Sequence, residues 1–281
     1  MRANVDESTH GMIEPKVYLL TETFYPPYWD GVSRHAHELA HGLAQKSQSV
    51  CVVTRQSIPP APNYERIGKV SVRRIGPGGF LKGAGWRAVM PLASFLVQLF
   101  RVLLKDRSRY TVVVTCGVKV LPIPATIACA LLRKKCILRV ESPTDLLEDI
   151  SAQSLADVGV FQRRILLGLA HAVQRAALRR ADRIVAISSE IARELIRNGV
   201  GLEKIAPIPN GVDTNRFAPA TGEQKKCLRR ELHLPVEQML FTFTGRLAVS
   251  KGVLLLVRAW KHLSTKHRGI HLVLVGSGEG S

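Results

Sequence analysis

The feature that most constrains this chain is a repeated change of hydrophobic period. Short runs of Val, Ile and Leu without polar alternation, such as residues 16–21 (KVYLLT) and 49–54 (SVCVVT), are each followed by longer stretches with helical spacing. Strands that are apolar at successive positions bury both faces, and they do so in parallel sheets covered by helices on each side. The same reading places strands at 70–75, 110–115, 136–140 and 183–187, with helices at 32–46, 88–104, 122–132 and 189–198 and a mostly helical region over 146–180. Residues 58–63 and 76–85 are turn-rich. The expected class is a doubly wound α/β architecture.

The period pattern is interrupted once, by a Pro- and Gly-rich stretch (PIPNGVDTNRFAP). The sequence therefore divides into a polar tail (1–15), a first Rossmann-like domain (16–206), a linker (207–220) and a second Rossmann-like unit (221–281). In that second unit only strand 239–244, helix 253–266 and strand 271–275 are readable, so the expectation is a partial domain, as in a truncated product. The tail contains Asp6, Glu7 and Glu14 and no apolar core, which argues against a secretory signal and for a cytoplasmic protein. The apolar stretch 88–104 is broken by Pro91, Gln98 and Arg101 and falls short of the roughly 20 residues a membrane span needs.

Forty Lys and Arg against 22 Asp and Glu give a net charge of +18, so the surface should meet something anionic. Nucleic acid is disfavoured as a specific partner: Arg133, Lys134, Lys135, Arg179, Arg180 and Arg183 are scattered over helix ends without interleaved aromatics. Lys82, Arg87, Arg101, Lys105, Arg107 and Arg109 flank the apolar helix 88–104. That helix either packs on the sheet or lies against the anionic inner face of a membrane. The five cysteines are odd in number and lack C-x-x-C spacing, which suits reduced thiols.

Two short motifs compete for attention. His37–Glu38–Leu39–Ala40–His41 has the spacing of a zinc-peptidase helix, but Val32, Ala36, Leu39 and Leu43 define a buried face that leaves both histidines nearly opposite, and no third ligand follows. The terminal Gly276-Ser-Gly-Glu-Gly follows a strand like a dinucleotide fingerprint but lacks the helix and the later acidic residue such a site requires. No D-x-D occurs near a strand end, so no metal clamp for a diphosphate is readable and no cofactor or essential metal is expected.

Four segments carry a resemblance: Tyr25 to Gly31 with its following helix, residues 181–189 (ADRIVAISS), 208–217 (IPNGVDTNRF) and 243–252 (FTGRLAVSKG). Their order and spacing resemble the retaining glycosyltransferases of family four, whose GT-B fold sets two Rossmann-like domains face to face. The resemblance implies transfer of a sugar from a nucleotide-sugar donor, held mostly by the second domain, to a glycan or lipid-linked acceptor held mostly by the first. It assigns the donor diphosphate to Arg246 and Lys251, beside Gly245 and with Ser250 capping the next helix. Two cations and free helix N–H groups at a strand's carboxyl end form an anion site. Gly31 matches the first domain's phosphate-approach loop, although Asp30 stands where relatives usually carry a second glycine. Asn210 and Gly211 fall at the interdomain crossover turn. Relatives often place a His after the strand equivalent to 136–140; here stand Glu141 and, further on, Asp145. Glu141 is either a catalytic carboxylate near the reacting sugar or a solvated turn acid. The later acidic motif of the family, which holds the donor sugar and ribose, does not occur within the 281 residues; weak donor binding and impaired turnover are the resulting expectation, and the alternative is a catalytically inactive remnant acting as a basic membrane- or partner-binding module.

Overall fold

The computed structural model describes residues 16–26, 31–46, 48–57, 60–77, 86–141 and 160–278. The chain divides into two compact units, Met1–Gly211 and Val212–Ser281.

The first unit is built on an eight-stranded sheet: β1 (Lys16–Thr21), β2 (Ser49–Arg55), β3 (Tyr64–Ile67), β4 (Val70–Ile75), β5 (Val112–Cys116), β6 (Lys135–Val140), β7 (Arg183–Ala186) and β8 (Ile205–Pro207), in the spatial order β3-β4-β2-β1-β5-β6-β7-β8. Seven strands run parallel, and β3 alone pairs antiparallel, with β4. The order reverses direction at β1, so the switch point lies between β1 and β5, where an open α/β sheet forms its ligand crevice beyond the carboxyl ends.

The unbroken apolar runs are explained by two cores, one on each face. Val17 and Leu19 of β1 join Val50, Val52, Val70 and Val72 beneath helix α1 (Gly31–Gln45). Tyr18 and Leu20 point the other way, into a larger cluster with α2 (Trp86–Lys105), α3 (Pro122–Leu132), α4 (Val160–Arg180) and α5 (Ser189–Arg197). A period of two along a strand assigns alternate side chains to opposite cores, and both sets are apolar. In α2, Phe95, Leu99 and Leu103 recur every four residues and are fully buried, while Met90 and Val97 remain exposed. Phe95, Leu99, Val102 and Leu103 thus pack inward, and no helix among the described residues is long and apolar enough to cross a membrane.

The second unit holds α6 (Gly222–Glu231), β9 (Met239–Thr244), α7 (Val253–Lys266) and β10 (Ile270–Val275), with β9 and β10 parallel. Among the described residues, sequence reading omits two strands and one α-helix. β3 (YERI) is short, charged and half exposed, and is a strand only because β4 offers it a partner. β8 is three residues long and ends in a proline. α6 did leave a readable signal: Thr221 and Gln224 form a reciprocal capping box, the S/T-x-x-E/Q signature of a helix start.

Candidate functional site

At the carboxyl edge of the first sheet, the penultimate residue of β6 is a buried arginine, Arg139, 5% exposed. A guanidinium cannot lose its charge at that depth, so it must be paired. Glu141 lies two residues on, on the same face of the extended chain, and its carboxylate is 3.5 Å from Arg139 Nε with the side chain only 10% exposed. Another guanidinium nitrogen of Arg139 donates to Asn210 Oδ1, tying the last residues of the first unit to the centre of the sheet. The structure thus brings two sequence-designated residues together through a third that sequence reading overlooked. A charged residue inside the apolar run KCILRV, with an acid two positions later, is the signal that marks it.

His35, on α1, stands close enough to feel this charge. Burial, followed by the positive charge of Arg139, holds its imidazole down to about 4, so the ring is neutral at physiological pH. Cys116 closes the end of β5 in the same neighbourhood; burial first, then the Glu141 carboxylate, pushes its thiol up to about 12 and keeps it unreactive. All five cysteines are free thiols. Beyond β5, Gly117 takes a left-handed conformation (φ 94) and its N–H bonds the Arg139 carbonyl, while Gln174 donates to the Val118 carbonyl at 2.9 Å.

Gly31 is the exposed first residue of α1, and the space where a Cβ would stand is open. Packing does not demand glycine there. Gly211 is likewise uncrowded. Asp30 and Asp145 lie outside the described residues.

The two histidines of the H-E-L-A-H stretch depart from expectation. The buried face of α1 is Ser33, Ala36, Ala40 and Ala44, rotated from the Val32–Leu39–Leu43 stripe, because small residues let the helix approach the sheet closely. His37 and His41 are half-buried, their rings 4.2 Å apart, and His37 meets Tyr25 edge-on at 5.1 Å. Burial and then the neighbouring His41 lower the proton affinity of His37. Among the described residues no cluster of three His, Cys, Asp or Glu could hold a metal ion.

In the second unit, Gly245, Arg246 and Lys251 fall in one exposed stretch between the carboxyl end of β9 and the start of α7. The expected cap by Ser250 is corrected: residues Val249–Lys251 form a 3₁₀ turn, and Gly252 (φ 73) is the N-cap, without any side-chain bond to the helix. The first N–H groups of α7 therefore lack a capping side chain and are available to an anion. The terminal glycines also receive a physical role. The 245–247 strand extension pairs with 276–278 through Gly245 N to Val275 O and Leu247 N to Ser277 O, each 2.9 Å. A Cβ on Gly276 or Gly278 would collide with the carbonyl oxygen of Gly245 or Leu247. These glycines serve close backbone approach.

The family model described as Glycosyltransferase Family 4 matches residues 29–216. The chain belongs to that family. A D-inositol 3-phosphate glycosyltransferase from Xylanimonas cellulosilytica is 36% identical over 104 residues, which are 36% of this chain and 24% of that protein. The putative colanic acid biosynthesis glycosyl transferase WcaI of Escherichia coli is 23% identical over 270 residues, covering 91% of this family-four chain and 64% of WcaI. Among solved structures, sucrose-phosphate synthase from Thermosynechococcus elongatus shares the fold with a TM-score of 0.65 at 18% identity, over 94% of this chain and 63% of that one. Anabaena HepE, solved with UDP, gives a TM-score of 0.61 at 15% identity over 94% and 62%. The chain thus spans less than two thirds of each of these relatives.

Proposed function

We propose that this chain takes part in transfer of a sugar, with retention, from a nucleoside-diphosphate sugar to a glycan or lipid-linked acceptor. The observation that carries the reading is the stretch from Gly245 to Gly252: a guanidinium, an ammonium and an uncapped helix start follow the carboxyl end of one parallel strand. As the bond between the anomeric carbon and the diphosphate breaks, negative charge grows on the departing phosphate oxygens. Arg246 and Lys251 offset that charge as a fork and a point charge, and the first N–H groups of α7 add their dipoles. Such a cradle supplies what a divalent cation would otherwise supply, so no essential metal is part of the reading. HepE, a structural neighbour, is solved with UDP and with UDP-glucose, which supports a nucleotide-sugar donor.

In the first unit, Gly31 leaves backbone open to ligand at the start of α1. Glu141 acts as a positioning residue, since its carboxylate is engaged by Arg139, and the pair holds Asn210 in place. The net charge of +18 supports an acceptor on an anionic surface, with the chain working in the cytoplasm at the inner face of a membrane.

Titration with UDP and GDP, alongside transfer assays from the matching sugar donors, tests the reading. Replacing Arg246 or Lys251 by Gln should weaken nucleoside-diphosphate binding by about tenfold or more, since a charge-assisted hydrogen bond contributes about 1.5–3 kcal/mol. Unchanged binding in both variants would refute the assignment.

A further inference from the structure

The basic residues that look scattered in sequence converge in space. Arg133, Lys134, Lys135 and Arg180 line one recess of about 300 Å³, floored by Thr126, Cys129 and Cys136, with Asp182 as the acid on its wall. The recess lies where α3 and α4 end and β6 and β7 begin, which is the amino edge of the sheet. The Arg139–Glu141 pair is at the opposite edge, about 13–20 Å farther along the strand that starts at Lys135.

Much of this charge has a local explanation, and its extent can be reckoned. Lys135 is committed to Asp182, 2.7 Å away. Burial alone would raise the Asp182 carboxyl, but that contact and the Cys136 N–H bring it below the ordinary carboxylate value, so it stays ionised. The carboxyl ends of α3 and α4 each present about half a negative charge and attract cations. Together these offset one unit for Asp182 and about one for the two helix ends. Four cations against roughly two negative charges leave about two positive charges facing the recess. Arg179, Arg183 and Lys204 are nearby but already placed: Lys204 Nζ bonds the Arg179 carbonyl at 2.6 Å, Arg183 bonds the Glu203 carbonyl, and the Arg179 guanidinium packs against Gly199.

A second observation concerns the backbone. Arg133 sits in the left-handed region (φ 53, ψ 40) at the end of α3, where its N–H bonds the Ala130 carbonyl and the Lys134 N–H bonds the Cys129 carbonyl. This is the turn that helices usually close with glycine, because a Cβ is unfavourable there. An arginine is held at a position suited to glycine, and it lines the recess with no carboxylate partner among the described residues.

We propose that this recess is a phosphoryl-anion site, distinct from the donor cradle of the second unit. A phosphomonoester carries about −1.5 to −2 at neutral pH, which matches the uncompensated charge, whereas a carboxylate does not. The forks of Arg133 and Arg180 take two of its oxygens, and Lys134, whose ammonium lies 5.7 Å from the Tyr110 ring centroid, adds a point charge from the rim. The same chemistry is offered by the headgroup of phosphatidic acid and by a free sugar or glycerol phosphate.

The two sources are separated by two measurements on the full chain carrying Arg246→Gln and Lys251→Gln, which removes the donor cradle. Glycerol 3-phosphate is titrated by calorimetry, and sedimentation is followed with phosphatidic acid–phosphatidylcholine vesicles against pure phosphatidylcholine. Saturable one-to-one binding in either arm is expected, weakened about tenfold or more by adding Arg133→Gly with Arg180→Gln. Glycine relieves the backbone at 133, so the loss cannot be blamed on unfolding, and a retained thermal midpoint checks this. A charge-matched control on the second unit, Lys225→Gln with Lys261→Gln, should keep full affinity. Binding to vesicles alone assigns a lipid headgroup, and binding to glycerol 3-phosphate alone assigns a soluble phosphate. No saturable binding in either arm, an affinity indifferent to the 133/180 pair, or an equal loss in the control overturns the proposal.

Discussion

Replacing Arg139 by Met should be among the most damaging single changes in the first unit. The guanidinium and the Glu141 carboxylate are 6% and 10% exposed as side chains and 3.5 Å apart. At an effective dielectric of about 20, two charges at that separation attract by about 5 kcal/mol, much of it offset by the cost of removing both from water. Breaking a buried ion pair of this kind by truncating one partner costs about 3–5 kcal/mol. Asn210 Oδ1 also loses its donor, adding about 1 kcal/mol. For a unit of this size each kcal/mol moves the midpoint by about 2–4 °C, so Arg139→Met should melt about 8–24 °C below the wild type. Thermal and urea unfolding followed by circular dichroism give the two quantities independently. The decisive comparison is Arg139→Met with Glu141→Leu in one chain: with neither charge buried, the double variant should fall within about 2 kcal/mol of wild type. A double variant as unstable as the sum of the singles, or an Arg139→Met loss below about 1 kcal/mol, refutes the buried-pair argument. The same substitution should raise the His35 pKa from about 4 without restoring 6.5, since burial is its larger cause and Arg139 the second; histidine NMR titration measures this.

Two further outcomes follow from local geometry. Because His35 is held neutral down to about 4 while the unfolded ring binds its proton near 6.5, the unfolded state takes up more protons between these values. Stability should therefore fall as pH drops from about 6.5 to about 4, and His35→Gln should flatten that limb of a urea-midpoint profile; an unaltered profile would count against it. In the second unit, Gly252→Ala meets no neighbouring atom and carries only the cost of its positive φ, about 1 kcal/mol. Gly276→Ala must displace the Gly245 carbonyl and should disrupt the β9–β10 extension outright, visible as faster amide exchange at Gly245 and Leu247.

Much of the fold is legible in the sequence because its strands are buried on two sides: the 16–21, 70–75 and 239–244 runs match β1, β4 and β9 residue for residue. Elements whose existence depends on a neighbour escape such reading. β3 has alternating exposure and charged residues that suit a loop equally well until β4 pairs with it. The rotation of α1 escapes for a different reason: alanines carry little hydrophobic weight, yet Ala36, Ala40 and Ala44 are the residues small enough to touch the sheet. At the candidate site, the glycines and cations near 245–252 are readable as a contiguous motif. The Arg139–Asn210 bond and the recess around Arg133 and Arg180 join positions 71 and 47 residues apart, respectively, and no local pattern announces them.

The margins of the eight-stranded sheet bear on how this protein behaves in a crowded solution. One outer strand runs against the direction of its neighbours and offers alternating, charged side chains in Glu65 and Arg66; the other is three residues long and ends at Pro207, whose missing N–H is a donor the rim no longer presents. Neither margin is a good template for strands of another molecule. Self-association at high concentration is thereby discouraged at the first unit's rims, and a preparation that forms fibres would have to recruit some other part of the chain.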